Sequence, residues 1–314
     1  MKRYLLVFVL LYTCEQGNTS LLPSSSGNLN VISVVLNDEL WDGSVGKALK
    51  DDFSKPIYGL PQREQMFSLK HIPIRVFSGF VTKSRTVIKV QKANISKTSV
   101  EYNKYATPQT VIQFSGPSSK EILKLIKRDA NSMMALINKR EIAEKQRRIK
   151  KSLSKNLEVK NNLNINIKYP SVYRLAKSTD DFVWIRKDIK SGHLNLMIYE
   201  VSNKDLLNRT YNQIRDSVSK LHIPGPVEGT RMGIDDGYII GIKEGVLKNR
   251  MYTEYRGLWE VKDQFMAGPF IGYKFDDKKN NRQVYLDGFV YAPSANKRSY
   301  IFELESIIKS IIID

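Results

Sequence analysis

Three histidines, two of the four pairs of adjacent aspartates and one aromatic-rich stretch are the residues of this 314-residue chain whose types and spacing could do chemistry. His71, His193 and His222 are scattered, and none has a partner at metal-ligand spacing. Asp235-Asp236 and Asp276-Asp277 have the make-up of a calcium loop or an acid–base pair. Both lie in polar turn sequence, where aspartate commonly serves its own backbone. Gly237, Gly241 and Gly245 are spaced by four but sit among strand-like residues and match no phosphate loop. No nucleophile elbow or dinucleotide fingerprint occurs. With a single cysteine, Cys14, the chain has neither an intramolecular disulfide nor a multi-cysteine metal site. The residues therefore call for no catalytic set, no metal and no cofactor.

The densest candidate is the stretch 252–273, YTEYRGLWEVKDQFMAGPFIGY. Strand alternation puts Tyr255, Gly257 and Trp259 on one face and Glu254, Arg256, Leu258 and Glu260 on the other. One reading is an aromatic-lined ligand pocket for a lipid or glycan, walled by Trp259, Tyr255 and Glu260, with Arg256 as the anion contact. The other is a long hairpin whose aromatics pack beneath helices, with Arg256 paired to a neighbouring carboxylate. Packing is the commoner fate of such residues.

The elements that must position these side chains follow from periodicity. Val31 to Leu36 reads as a strand, Asn37 as a helix N-cap, and Trp41, Val45, Ala48, Leu49 and Phe53 as one helical face. The second half echoes this: a strand over Leu196 to Val201, a cap at Asn203, and a face of Leu207, Tyr211, Ile214, Val218 and Leu221. Both halves close alike, with a strand, a Pro-Ser turn and a helix, at 110–137 and at 283–311. Ser118 and Glu121 have the spacing of a capping box. The expected fold is α+β: two similar units, each a mainly antiparallel sheet covered by helices, related by internal duplication. The first unit spans 31–160 and ends in a long basic helix; the second spans 161–314, with strand-like additions between 163 and 187.

The formal charge is +18, from 50 basic and 32 acidic residues. Such a surplus favours anionic surfaces. Residues 139–160 concentrate it, either toward anionic lipid or as a solvated helix face interleaved with Glu141, Glu144 and Glu158. No basic motif with interleaved aromatics appears, so nucleic acid is not an expected partner.

At the N-terminus, Lys2-Arg3 precedes the apolar run Tyr4 to Tyr12, too short to span a bilayer and shaped like a signal peptide. Leu11-Tyr12-Thr13-Cys14 resembles the lipobox of bacterial lipoproteins, with bulkier residues than usual at Tyr12 and Thr13. Residues 1–13 are then a lipoprotein signal, Cys14 the lipidated residue, and 14–30, rich in Ser, Asn and Gly, a flexible tether.

The motifs LPSSSGN (22–28), LWDGSVGKAL (40–49), YRGLWEV (255–261), FMAGPF (265–270) and APSANKRSYIFELESIIKS (292–310) resemble a family of uncharacterised Bacteroidetes envelope lipoproteins defined by a domain of unknown function. The resemblance covers nearly the whole chain. It implies an envelope lipoprotein anchored in the membrane by lipid on Cys14, without implying an activity; the further partner expected is an unknown envelope protein, lipid or glycan. Glu15-Gln16-Gly17-Asn18 replaces the acidic run of surface-exported relatives, which points to a periplasm-facing anchor in the outer membrane. The function expected is a non-enzymatic binding module, the alternative an envelope hydrolase or transferase acting on glycan or lipid.

Overall fold

The computed structural model describes residues 21–206 and 208–313. The signal reading and Cys14 lie outside these residues, as does Leu207.

In the first unit, β1 (Val31–Val35) leads into α1 (Asp38–Asp42) and α2 (Ser44–Phe53). The Asn37 side chain caps α1 by accepting the Leu40 N–H, as expected. The single helix expected here is divided at Gly43, whose extended backbone starts α2 afresh. Then come β2 (Ser68–Ile72), β3 (Thr86–Lys92), β4 (Lys97–Tyr102), β5 (Thr110–Gly116) and α3 (Ser119–Ile149). The sheet order is β2-β1-β3-β5-β4. Its even-numbered positions, such as Ile32, Val34, Ile88 and Phe114, pack against α1, α2 and α3. The other face, with Val35, Val87 and Val111, is covered by Phe77, Val81 and Tyr105 from short 3-10 turns and loops.

The second unit follows α4 (Glu158–Leu163). A pair formed by β6 (Ile165–Asn166) and the C-terminal β15 (Ile312–Ile313) ties its beginning to its end. Seven strands form the main path: β7 (Arg174–Ser178), β8 (Phe182–Ile189), β9 (Gly192–Ser202), β10 (Met232–Ile234), β12 (Arg250–Val261), β13 (Met266–Asp277) and β14 (Arg282–Tyr291). Their order is β10-β12-β13-β14-β9-β8-β7, and β11 (Gly241–Leu247) also pairs with β12. Every ladder of this sheet is antiparallel. One face is buried under α4 and α6 (Arg298–Ile308), the other under α5 (Tyr211–His222).

The class is therefore α+β, with two tandem units and pairing that is mainly antiparallel across the chain. The first sheet departs from that rule: β1–β2, β1–β3 and β3–β5 are parallel, and only β4–β5 is antiparallel. Helical and irregular crossovers return the chain to the same end of each strand, which a short hairpin cannot do. The strand orders are unrelated, so the expected internal duplication is not present. In the second unit β9 and β14 are neighbours, whereas their first-unit counterparts β1 and β5 are separated by β3. The cap expected at Asn203 is instead Thr210, which forms a capping box with Gln213. Ser118 does cap α3, accepting the Glu121 N–H at 3.3 Å. That helix ends at Ile149 and passes into a short 3-10 turn, Lys150–Ser152, rather than running on to Lys160.

The stretch 14–30 is described from Leu21, and from Pro23 it is fastened rather than free. Thr107 N–H donates to the Pro23 carbonyl, and Ser26 N–H to that of Lys83. Arg85 donates to the carbonyls of Gly27 and Asn28 while its Nε and Nη2 hold Glu141. Glu141, buried on α3, also accepts the Asn30 N–H at 2.8 Å. A carboxylate so placed needs these donors, because an unpaired buried charge is costly.

Candidate functional site

Arg256 and Trp259 belong to one strand, β12, but to opposite faces of its sheet. Trp259 is 1% exposed; its indole N–H donates to the Val290 carbonyl at 3.2 Å, and its ring meets Phe289 edge-on. Tyr255, on the same face, stacks on Tyr211 of α5 with ring centroids 3.7 Å apart. Glu260 is half-buried, paired across the sheet with Gly233 and Ala267. Trp259, Tyr255, Arg256 and Glu260 therefore do not converge on a single pocket. A strand has period two, so residues of odd and even number cannot line one cavity unless the sheet bends. The aromatics are core beneath α5, and Arg256 is an ion-pair residue beneath α6.

Arg256 nonetheless marks the more informative place, the seam between the units. Its Nε donates to Glu254 at 2.6 Å and its Nη2 to Glu305 of α6 at 2.9 Å. Lys309 donates to the other Glu305 oxygen at 2.6 Å, and the Tyr273 hydroxyl donates to Glu254. Burial pushes the Glu305 carboxyl up, but the Arg256 and Lys309 charges outweigh it and hold the group down at about 2. Above the group lies a cavity of about 50 Å³, bounded by Asn30, Met66, Asn138, Arg298 and Phe302. That volume suits ordered water rather than a ligand. The Asn30 side-chain oxygen, buried there without a protein partner among the described residues, suits the same occupant.

Around the network the two units interlock. Glu64 of the first unit accepts the backbone N–H groups of Lys297 at 2.6 Å and Arg298 at 2.9 Å. It thus caps α6, whose own N-cap, Lys297, offers no side-chain acceptor. Arg298 reaches back to the Gln65 carbonyl at 3.1 Å and the Ser68 hydroxyl at 3.0 Å. Lys145 of α3 and Lys187 of β8 both meet Glu303 at 2.7 Å. Gly59, with φ of 84°, lies so close to Arg256 that an added Cβ would sit 2.9 Å from the arginine Cβ.

Outside this locked seam lies an open groove in two lobes that share Arg63 and Gln65. One lobe, about 420 Å³, is lined by Trp41, Lys50, Asp51, Lys55 and Leu69 of the first unit. The other, about 390 Å³, is lined by Glu64, Ser68, Asn296, Arg298 and Ser299, and so spans both units. Trp41 is fixed by stacking on His71 at 4.7 Å, and the Lys50 ammonium lies 4.2 Å from its ring centre. Arg63 is exposed and makes no ion pair among the described residues. Basic groups outnumber acidic ones along the groove, and its floor is fixed by the Glu64 and Arg298 contacts. This arrangement can hold a polar or anionic ligand. None of its residues was singled out as a site from sequence; Arg63 within Pro61-Gln62-Arg63-Glu64-Gln65, an unpatterned polar run between two elements, is the available signal.

A second cluster unforeseen in the sequence lies under α5. Asp287 of β14 is fully buried and accepts hydroxyl hydrogen bonds from Tyr199, at 2.7 Å, and from Tyr211. Arg215, also fully buried, places its Nε 3.6 Å from Asp287 and its guanidinium 4.3 Å from the Phe270 ring centre. Its nitrogens make no hydrogen bond among the described residues. Burial holds the Asp287 carboxyl above its ordinary range, with Arg215 and the tyrosines pulling the other way. Gly272 leaves the room for this meeting, since a Cβ there would run into the Tyr211 hydroxyl and the Asp287 carboxylate. The histidines stay apart: His71 under Trp41, His193 near Tyr291, and His222 stacked on Phe182 at 3.9 Å. No group of three or more His, Cys, Asp or Glu able to hold a metal occurs among the described residues. No helix among them is long and apolar enough to cross a membrane.

Fold and seam together define a two-unit α+β protein in which a parallel-rich sheet and an antiparallel sheet are joined by charged contacts and flanked by an open groove. The chain belongs to the family described as Domain of unknown function (DUF4837), whose model matches residues 152–310. Residues 25–150 match a second model, Domain of unknown function (DUF8532). The two matches meet in the turn after α3. No curated protein matches. Among solved structures, the crystal structure of the Saccharomyces cerevisiae Ran-binding protein Mog1p aligns at 7% identity, covering 48% of this chain and 89% of that one, with a TM-score of 0.32. The human StarD13 (DLC2) lipid transfer and protein localization domain aligns at 10% identity, covering 44% and 88%, with a TM-score of 0.23. Likenesses at this level carry no argument about fold or function.

Proposed function

We propose that this is a lipid-anchored protein of the bacterial cell envelope, of the kind found in Bacteroidetes, that binds a partner without acting on it chemically. The anchor is Cys14, and the leaflet is the periplasm-facing one of the outer membrane. Support for the anchor comes from the sequence: a basic start, a short apolar run and Leu11-Tyr12-Thr13-Cys14.

The observation that carries the binding reading is the groove. It lies at the junction of two units, where ligand sites commonly form, and it offers Lys50, Lys55, Arg63 and Arg298 beside Trp41. A carboxylated or sulfated glycan fits this lining best, since it satisfies both the cations and the hydrogen-bonding groups. The carboxylates nearest the groove favour binding over hydrolysis. Of the two acids that line it, Glu64 is committed to capping α6 and Asp51 is exposed in the other lobe, so no pair of carboxylates is poised for acid–base work.

Charge reversal tests the groove. Lys50→Glu with Arg63→Glu should lower the salt concentration at which the protein elutes from immobilised heparin. Lys190→Glu with Lys220→Glu, an equal change at two exposed positions outside the groove lining, should shift it less. Equal shifts for reversals inside and outside the groove would reduce the interaction to overall charge and reject the groove.

A further inference from the structure

The face of the first sheet opposite its helices is closed by two 3-10 turns, Ile74–Val76 and Gly79–Lys83. Phe77 and Val81 point inward onto Val35, Ile72, Val87 and Val111. Their neighbours do the reverse: Ile74 and Val76 are exposed, and Phe80 is 72% exposed. A short segment that turns three large apolar side chains to water gains nothing for the fold by doing so, and exposed apolar clusters mark surfaces that meet something.

The position of this knob indicates what it meets. The first described residues run directly beside it: Ser26 N–H donates to the Lys83 carbonyl, Ser25 N–H to Thr107, and Thr107 N–H to Pro23. Leu21, 96% exposed, and Leu22, also exposed, extend the apolar surface from this edge. Only seven residue steps separate Leu21 from Cys14. At about 3.5 Å per residue the two are within roughly 25 Å of each other however the segment runs. Any lipid on Cys14 therefore brings the bilayer to this end of the first unit. Basic groups rim the knob: Lys83, its ammonium 5.8 Å from the Phe80 ring centre, Arg75 beside Asp38, and Lys104 beside Glu101. Apolar side chains bordered by Lys83, which has no carboxylate partner among the described residues, and by these two ion pairs suit the headgroup boundary, where the chains enter the acyl layer and the charged groups stay among the phosphates.

We infer that Ile74, Val76, Phe80, Leu21 and Leu22 form a membrane-docking surface that inserts into the leaflet carrying the anchor and fixes the orientation of the protein on it. The partner is the lipid bilayer itself. The choice of partner rests on the Cys14 reading; the exposed knob does not. The apolar contact supplements the acyl chains and stops the first unit from tumbling on its short leash.

The test uses the full chain, matured in its host, extracted from membranes and reconstituted in phosphatidylethanolamine–phosphatidylglycerol vesicles with brominated acyl chains. Tryptophan is introduced at one of three exposed positions: Phe80→Trp, Val76→Trp, or Phe265→Trp at the exposed turn between β12 and β13. Bromine quenches only indoles that reach the acyl layer. Over the background of Trp41, Trp184 and Trp259, quenching should be about threefold greater for Phe80→Trp or Val76→Trp than for Phe265→Trp. Equal quenching at all three positions, or quenching at 265 alone, would overturn the docking surface. Acylation of Cys14 is measured on the same preparation. An unacylated chain still quenched at position 80 would sink the anchor and leave the docking surface standing; an acylated chain unquenched there would do the opposite.

Discussion

Burying Arg215 and Asp287 side by side takes two charges out of water and returns them one another, two tyrosine hydroxyls and a phenyl face. Removing one partner strands the other, which typically costs about 3–5 kcal/mol. Asp287→Ala should therefore lower stability to urea by that order. Arg215→Met with Asp287→Leu, which removes both charges and keeps the volume, should cost less than Asp287→Ala alone. A near-neutral Asp287→Ala, or a double variant equal to the sum of the singles, would show that the pair is not coupled. The cluster was legible only in fragments. Arg215 stands four residues after Tyr211 on the buried face of α5, and Asp287 interrupts the run VYLDGFVY. Each is an anomaly in its own element; that they answer one another depends on α5 crossing β14, which no local pattern encodes. Around Arg256 and Trp259 the alternation sorted the faces as they are. What it could not supply was Glu305, forty-nine residues on, to pair with Arg256.

Helix α6 depends on a residue from the other unit. Its first turn finds no acceptor in its own Lys297, and Glu64 supplies the oxygens. A carboxylate at a helix N-terminus also meets the positive end of the helix dipole. Glu64→Ala should cost about 1–2 kcal/mol in chemical denaturation, and Glu64→Gln, which keeps an acceptor, should recover part of it. No loss in Glu64→Ala would mean that water replaces the carboxylate and that the seam does not depend on this cap. Individual elements were mostly readable: the strand at Val31–Val35, the cap at Asn37, and the start of α3 carry local signals, whereas the cap of α5 is Thr210 instead of the expected Asn203. Their arrangement was not. The two halves echo one another in a strand, a helix and a Pro-Ser turn, yet their sheets differ in strand order and direction. Such echoes record what any strand-to-helix passage requires, whereas sheet order is set by contacts distant in sequence. The stretch 23–30 shows the same limit. Its Ser, Asn and Gly content suits a tether, but Arg85 and Glu141 bind it through its backbone, which composition does not reveal.

At the scale of the molecule, one account joins the parts: an acyl chain proposed on Cys14, an apolar knob beside the first described residues, and a basic groove at the seam. The seam makes the units one platform, so an orientation imposed through the first unit is passed to the groove. The charge of +18 fits both surfaces, since each would meet an anionic material. The anchor comes first in this account, and the most direct measurement of it is the mass of the N-terminal peptide of the mature protein taken from host membranes. The account predicts a chain that begins at Cys14, with acyl chains adding their mass to that residue, and a Cys14→Ala chain that keeps its first thirteen residues and takes up no fatty acid. A mature peptide that runs through residues 11–14 with an unmodified Cys14 thiol would contradict it.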